Sequence, residues 1–273
     1  MHNVESNGAR IPALGLGTWE LRGDQCARIV EAGLKAGYRH VDTAQGYGNE
    51  TQVGEGIRAS GVAREDIFLT TKIWHDNLKA GPFRAAAEES VAALGTGYVD
   101  LLLIHWPNPA VPIAETMGAM AEVRAAGLAR HIGISNFTVA QIDEAVAASE
   151  APIVTNQIEY HPYLDQTKVR EACARHGISV TAYCPIARGK VVGDPVIDPI
   201  AGRHGKSAAQ VTLRWLVQQP DVIAIPRTSS PARLAENLDI DDFALSEEDM
   251  AAISGLARPD GRLVNVAWAP DWD

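Results

Sequence analysis

The stretch YRHVDTAQGYGNE, residues 38–50, decides the fold. Its first half is a short strand-like run ending at Asp42 and Thr43. Glycines then break the chain, and NETQVGEGIRAS, from Asn49 to Ser60, reads as a helix with Asn49 as a possible N-cap. A strand, a tight loop and a helix therefore follow one another. Two ionisable groups, Asp42 and Tyr47, stand where the buried run stops.

The same unit recurs on both sides. Upstream, Cys26, Ile29, Val30, Gly33 and Leu34 share one helix face. Downstream, the strands IFLTTKIW, YVDLLLIHW, ARHIGISNF, IVTNQIEY, ISVTAYC and VIAIP alternate with helices. Those helices are PFRAAAEESVAAL, IAETMGAMAEVRAA, TVAQIDEAVAAS, DQTKVREACARH, AAQVTLRWLVQQ and SPARLAENL. With PALGLGTW as the first strand, the chain holds eight strand–helix units. Such alternation implies parallel strands joined by helical crossovers, and this number in this length predicts an α/β fold, a closed (β/α)8 TIM barrel. Residues 1–273 form one domain in this reading. It adds an N-terminal hairpin turning at Asn7-Gly8, a C-terminal helix from about Ser246 to Leu256, and the tail GRLVNVAWAPDWD.

Composition narrows the function. The 273 residues are 46% hydrophobic and carry 24 basic against 34 acidic groups, a net −10. That charge argues against nucleic acid or an anionic membrane as partner. No apolar run approaches membrane-spanning length, and MHNVESNG lacks the pattern of a leader. Cys26, Cys173 and Cys184 form no CxxC pair, so reduced thiols in cytoplasm are expected, without disulfide or metal site.

In such a barrel the C-terminal strand ends carry the chemistry. Here they present Trp19, Asp42, Lys72, His105, Ser135, Asn136, Asn156, Gln157, Tyr183 and Arg227. Any one of these polar residues could simply mark where a strand stops. A whole ring of them points to a site. A buried Lys72 needs an anion, and Asp42 on the neighbouring strand can supply it. The ammonium should lower the pKa of Tyr47 and make the phenol a usable proton donor, while His105 hydrogen-bonds a carbonyl oxygen. These groups can protonate a C=O as it becomes an alkoxide; the two electrons would come from a nicotinamide. GEGIRA, from Gly54, lies inside a helical pattern and is discounted as a dinucleotide loop. A phosphate can instead meet Arg227, Thr228, Ser229, Ser230 and Arg233 at the start of the last barrel helix.

These motifs together resemble the aldo-keto reductase family. GLGTW, GYRHVDTAQGYGNE, TTKIW, DLLLIHWP, IGISNF, NQIEYHPYL and IP…AENL occur in family order along essentially the whole chain. The resemblance is strongest to bacterial 2,5-diketo-D-gluconate and methylglyoxal reductases. It implies a monomeric barrel that binds NADPH/NADP without a Rossmann domain and reduces a small-molecule carbonyl. By the same resemblance Asp42, Tyr47, Lys72 and His105 are the catalytic positions. Ser135, Asn136 and Gln157 would hold the nicotinamide carboxamide, and Tyr183 would stack on its ring. Thr18, Trp19, Asp42, Pro185 and Ile186 join the cofactor positions. Arg227, Thr228, Ser229, Arg233, Glu236 and Asn237 would surround the adenosine and its 2′-phosphate. Trp19, Tyr47, Trp74, His105 and Trp106 would line the substrate pocket. Arg227 stands where many relatives have lysine, and the loop CPIARGK departs from the family's small-residue stretch. The short loop PNPAVP and the short tail suggest an open pocket for small dicarbonyls or keto-sugar acids. Two other readings stay open: an NADPH-binding regulatory protein with little chemistry, and a lyase using Lys72 as a Schiff-base amine.

Overall fold

The computed structural model describes residues 2–273. Two strands, β1 (Asn3–Ser6) and β2 (Ala9–Pro12), pair antiparallel through an Asn7-Gly8 turn. Asn7 and Gly8 have φ of 44° and 86°, the left-handed pair that a two-residue hairpin requires. Eight further strands form one parallel sheet in sequential order: β3 (Leu16–Gly17), β4 (His40–Asp42), β5 (Phe68–Ile73), β6 (Val99–Ile104), β7 (Ala129–Ser135), β8 (Ile153–Glu159), β9 (Ser179–Tyr183) and β10 (Val222–Ala224). The sheet's two edges meet. Leu14 bridges to Ala224 and Gly17 to Arg227, both parallel, and the Gly15 and Gly17 amides donate to the Ala224 and Pro226 carbonyls at 2.8 and 3.0 Å. The predicted α/β barrel is therefore the fold, with β6 and β8 buried along their whole length as strands covered on both faces must be.

The helices follow as expected, with one addition. They are α1 (Gly23–Ala36), α2 (Glu50–Ser60), α3 (Ala80–Leu94), α4 (Ile113–Ala125), α5 (Val139–Ala148), α6 (Thr167–Arg175), α7 (Ile197–His204), α8 (Ala208–Val217), α9 (Pro231–Leu238) and α10 (Glu247–Ser254). The first buries the five residues that the periodicity singles out. The unexpected one is α7, which precedes α8 in the β9–β10 crossover. Its segment IDPIAGRH is short and broken by Pro and Gly, so its periodicity is weak.

Asn49 occupies the N-cap position of α2, yet its side chain does not cap. Its amide donates instead to the Thr18 and Leu21 carbonyls at 2.9 and 3.0 Å and accepts from the Thr43 hydroxyl at 2.8 Å. It thus ties the β4 loop to the β3 loop beside the barrel mouth. GEGIRA lies inside α2, as expected. A Cβ at Gly54 would stand 2.0 Å from the Leu94 carbonyl oxygen, and one at Gly56 would stand 2.5 Å from that of Ala27. These glycines let α2 pack closely between its neighbouring helices.

Candidate active site

The C-terminal strand ends enclose a cleft of about 560 Å³. Each strand contributes to its wall: Gly17, Asp42, Trp74, His105, Ser135, Gln157, Tyr183 and Ile225 sit within two residues of the ends of β3 to β10 in turn. The floor is electrostatic. Lys72, fully buried on β5, donates to Asp42 Oδ1 at 2.6 Å, to the Thr43 carbonyl at 2.8 Å and to the Tyr47 hydroxyl oxygen at 3.3 Å. A neutral amine has two N–H bonds, and three donated bonds need the ammonium. The second carboxylate oxygen, Asp42 Oδ2, accepts from Gln157 Nε2 at 2.7 Å. Asp42 is thereby held from two strands, and its charge stays on the ammonium.

Because Lys72 donates to the phenol oxygen, the Tyr47 O–H is left to point elsewhere. The expectation that the ammonium lowers the Tyr47 pKa is not met. Burial pushes that pKa well above the phenol's ordinary value, and the negative charge of Asp42 pushes it further the same way. Burial likewise lowers the Lys72 pKa, with Asp42 opposing. Tyr47 is therefore a fully protonated donor at neutral pH. What Lys72 supplies is a positive charge within reach of the oxygen once its proton leaves.

His105 stands edge-on to the Tyr47 ring at 5.5 Å and to Trp74 at 5.1 Å. Burial holds its pKa well below the usual imidazole range, with Lys72 adding repulsion, so the ring is neutral. Its Nδ1 is buried without a hydrogen-bond partner. A buried N–H without an acceptor is the rarer defect, which favours the proton on Nε2, the nitrogen open to the cleft.

Around this centre lies a polar shelf. The Tyr183 hydroxyl donates to Asn136 Oδ1 at 2.8 Å, Asn136 Nδ2 donates to the His105 carbonyl at 2.9 Å, and Ser135 Oγ donates to the Gln157 carbonyl at 2.7 Å. These bonds fix the Tyr183 ring as a plate beside Tyr47. Thr18, Trp19, Pro185, Ile186, Arg227 and Arg233 also line the cleft. Arg227 Nε donates to the Trp19 carbonyl at 3.1 Å.

The structure does not bring every expected residue to this wall. Thr228, Ser229, Glu236 and Asn237 are not among its lining. Thr228 Oγ1 accepts from the Ser230 amide at 3.0 Å, which orders the entry to α9. Glu236 accepts from Ser207 at 2.7 Å and joins α9 to the start of α8. Asn237 is buried beside Tyr38. Conversely, sequence reasoning missed Glu20, Val264, Val266 and Trp268, which do line the cleft, and gave Cys184 and Arg188 no role although both line it. The Arg188 guanidinium sits 5.2 Å over the Trp19 ring. Trp268 packs edge-on against Trp74 at 5.8 Å, so the tail closes one side that its short length suggested was open. The aromatic-rich ending AWAPDWD was the available signal.

Gly46 makes room for an aromatic wall: a Cβ there would lie 2.7 Å from the Trp74 ring. Gly48, at φ 65°, does carry the left-handed turn that ends the Tyr47 loop. Among the described residues, no group of three His, Cys, Asp or Glu is placed to hold a metal. No helix among them is long and apolar enough to cross a membrane.

A parallel eight-strand barrel with a buried Lys–Asp pair under a tyrosine and a neutral histidine defines a class of carbonyl-handling sites, and comparison with known proteins agrees. The aldo/keto reductase family model matches residues 13–258, and the chain belongs to that family. It is 44% identical over 266 residues to methylglyoxal reductase DkgB of Salmonella typhimurium, covering 96% of this chain and 99% of the relative. It superposes with a TM-score of 0.98 on the crystal structure of a candidate 2,5-diketo-D-gluconic acid reductase B, at 58% identity and covering 100% of this chain and 98% of the other. The Bombyx mori aldo-keto reductase in complex with NADP matches at 35% identity and TM-score 0.91, covering 99% of this chain and 97% of that one. The chain is an oxidoreductase of the aldo-keto reductase kind.

Proposed function

We propose that this protein reduces small aldehydes and ketones to alcohols with NADPH, favouring dicarbonyls and keto-sugar acids. The observation that carries the reading is the Lys72 ammonium, fixed by Asp42 and donating to the Tyr47 oxygen at 3.3 Å. The wall fits the cofactor chemically. Ser135, Asn136 and Gln157 offer hydroxyl and amide groups for a carboxamide, Tyr183 offers a flat apolar face, and Arg227 and Arg233 offer cations for a phosphate on the same cleft. When bound, NADPH supplies the hydride to the carbonyl carbon.

Every other part of the reaction belongs to the chain. His105 Nε2–H orients the carbonyl oxygen and disperses its growing charge. Tyr47 transfers its proton to that oxygen, and Lys72 faces the resulting phenolate, which solvent reprotonates. Asp42 keeps the lysine charged, with Gln157 steadying the carboxylate. A Schiff-base role for Lys72 is disfavoured by its complete burial and its three donated hydrogen bonds. Trp74, Trp106 and Trp268 supply the apolar side of the pocket, which suits short carbonyls. The reading includes a monomer, because the strand ends of one barrel already supply a wall on every side of the cleft. A cytoplasmic setting fits the unpaired thiols of Cys26, Cys173 and Cys184.

The test follows loss of NADPH or NADH absorbance with methylglyoxal, 2,5-diketo-D-gluconate, an aromatic aldehyde and a steroid ketone. Turnover of the small carbonyls with NADPH favoured is expected. Nucleotide binding without turnover of any carbonyl would instead make the protein a regulatory nucleotide binder.

A further inference from the structure

One wall of the cleft is made by the last residues of the chain, and a single buried carboxylate grips them. Glu159 ends β8 and is completely buried. Its Oε1 accepts from the Leu263 amide at 2.6 Å and its Oε2 from the Val264 amide at 2.8 Å, while His161 Nε2 donates to Oε1 at 2.8 Å. Two consecutive backbone N–H groups turned to the same side are incompatible with a regular strand, whose amides alternate. They need two acceptor oxygens set a fork apart. An ionised carboxylate offers that, whereas a glutamine offers one acceptor and one donor.

From this grip the tail runs along the cleft, to which Val264, Val266 and Trp268 contribute. Its far end is fastened too: the Arg262 guanidinium lies 3.7 Å over the Trp272 ring, and Asp273 Oδ2 accepts from the Val139 amide at the start of α5 at 2.9 Å. The segment between belongs to no strand or helix, so its course depends on these ties. Of these ties, the Glu159 grip is the one made from a barrel strand, and Trp268 adds its contact with Trp74.

We propose that Glu159 is a positioning residue for the carbonyl substrate. By fixing two successive amides it sets where Val264, Val266 and Trp268 stand over Tyr47 and His105, and so governs substrate affinity and selectivity. The assignment rests on the cleft being the carbonyl-reducing site. It predicts that loosening the grip moves KM for the carbonyl, and the preference between large and small carbonyls, more than kcat or NADPH affinity.

The experiment loosens the contact from both sides, with Glu159→Gln in the barrel and Leu263→Pro in the tail, the latter leaving the carboxylate intact while deleting one donor. Each is expected to raise KM for methylglyoxal and an aromatic aldehyde about tenfold, the scale of one charge-assisted hydrogen bond, and to narrow the preference between them. Saturated kcat and the NADPH Kd from fluorescence titration should stay within about threefold, and acrylamide should quench the tryptophans more strongly. Unaltered KM in both variants, with wild type active, overturns the assignment alone. So does an NADPH Kd that rises in step with KM, since Glu159 would then act through its β9 neighbour Tyr183. A wild-type chain that binds NADPH but reduces no carbonyl overturns the underlying reading, and the assignment with it.

Discussion

The two ends of this barrel each hold an ion cluster around a buried aspartate, and they use it differently. At the C-terminal end Lys72 meets Asp42 at 2.6 Å beneath Tyr47. At the opposite end Asp100 lies between Arg64, at 2.7 Å, and Arg130, at 3.1 Å, with both guanidinium groups over the Tyr98 ring at 4.1 and 4.2 Å. Asp100 also accepts the Leu69 amide at 3.0 Å. Arginine does not surrender its proton in proteins, so the lower cluster can only fasten. Lysine is a compact charge that answers to its surroundings, and at the upper end it faces a phenol that can release a proton. The remaining polar groups divide likewise. Below, the Ser6 hydroxyl donates to the Val154 carbonyl at 2.6 Å and accepts the Ser179 amide at 3.0 Å, which plugs the barrel with satisfied bonds. Above, His105 keeps a buried nitrogen without a partner. Fastening marks the structural end, and a charge set beside a proton donor marks the chemical one.

The sharpest test of this division is Tyr47→Phe. It should lower kcat for carbonyl reduction by a factor on the order of 10²–10⁴, the range of a lost general acid, with the melting temperature and NADPH Kd nearly unchanged. A variant retaining most of its turnover would place the proton donor elsewhere. Next comes a matched pair, Lys72→Met and Asp100→Asn. The first strands the Asp42 charge and should cost about 3 kcal/mol in urea unfolding as well as nearly all activity. The second weakens the lower clamp and should cost about 1–2 kcal/mol, because Arg130 is half-exposed, while leaving kcat/KM alone. Comparable activity losses in both would dissolve the distinction between the ends.

The smallest effect is on pH. Burial lowers the pKa values of His40, His105 and His131 in the folded chain below the ordinary 6.5. The unfolded chain therefore takes up these protons first as pH falls, and stability declines below about pH 6.5 while remaining flat above it with respect to these groups. A melting series from pH 7.5 to 5 should show this, and His105→Gln should flatten part of the slope. Stability that rises on acidification over that window would contradict the burial of neutral histidines at both ends.

How much of this was legible beforehand depends on the range over which a residue's role is set. The strands and most helices have local causes, such as the five-residue buried face of α1, and could be read directly. So could the Lys72–Asp42 pair, since adjacent strands of known direction bring their ends together. The short, Pro- and Gly-broken α7 could not. The contacts that Thr228, Glu236 and Asn237 make with Ser230, Ser207 and Tyr38 depend on how α9 packs against its neighbours, which residue identity does not encode. The tail escaped notice because its course is dictated by Glu159, 104 residues earlier in the chain, and has no periodicity of its own. The Tyr47 acidity was misjudged because sequence shows the neighbouring charge and hides the depth of burial that outweighs it.

The seam where Leu14 and Gly17 meet Ala224 and Arg227 sets an order of events during synthesis. Asp42, Tyr47, Lys72 and His105 all leave the ribosome within the first half of the chain, yet the ring cannot shut until the last strand emerges. Until then β3 and its exposed neighbours present unpaired edges, and the pairing that closes them joins residues 210 positions apart. A nascent chain stalled before residue 222 would hold all four of these groups and still lack a barrel, so about the final fifth of the sequence works as the latch that closes the ring.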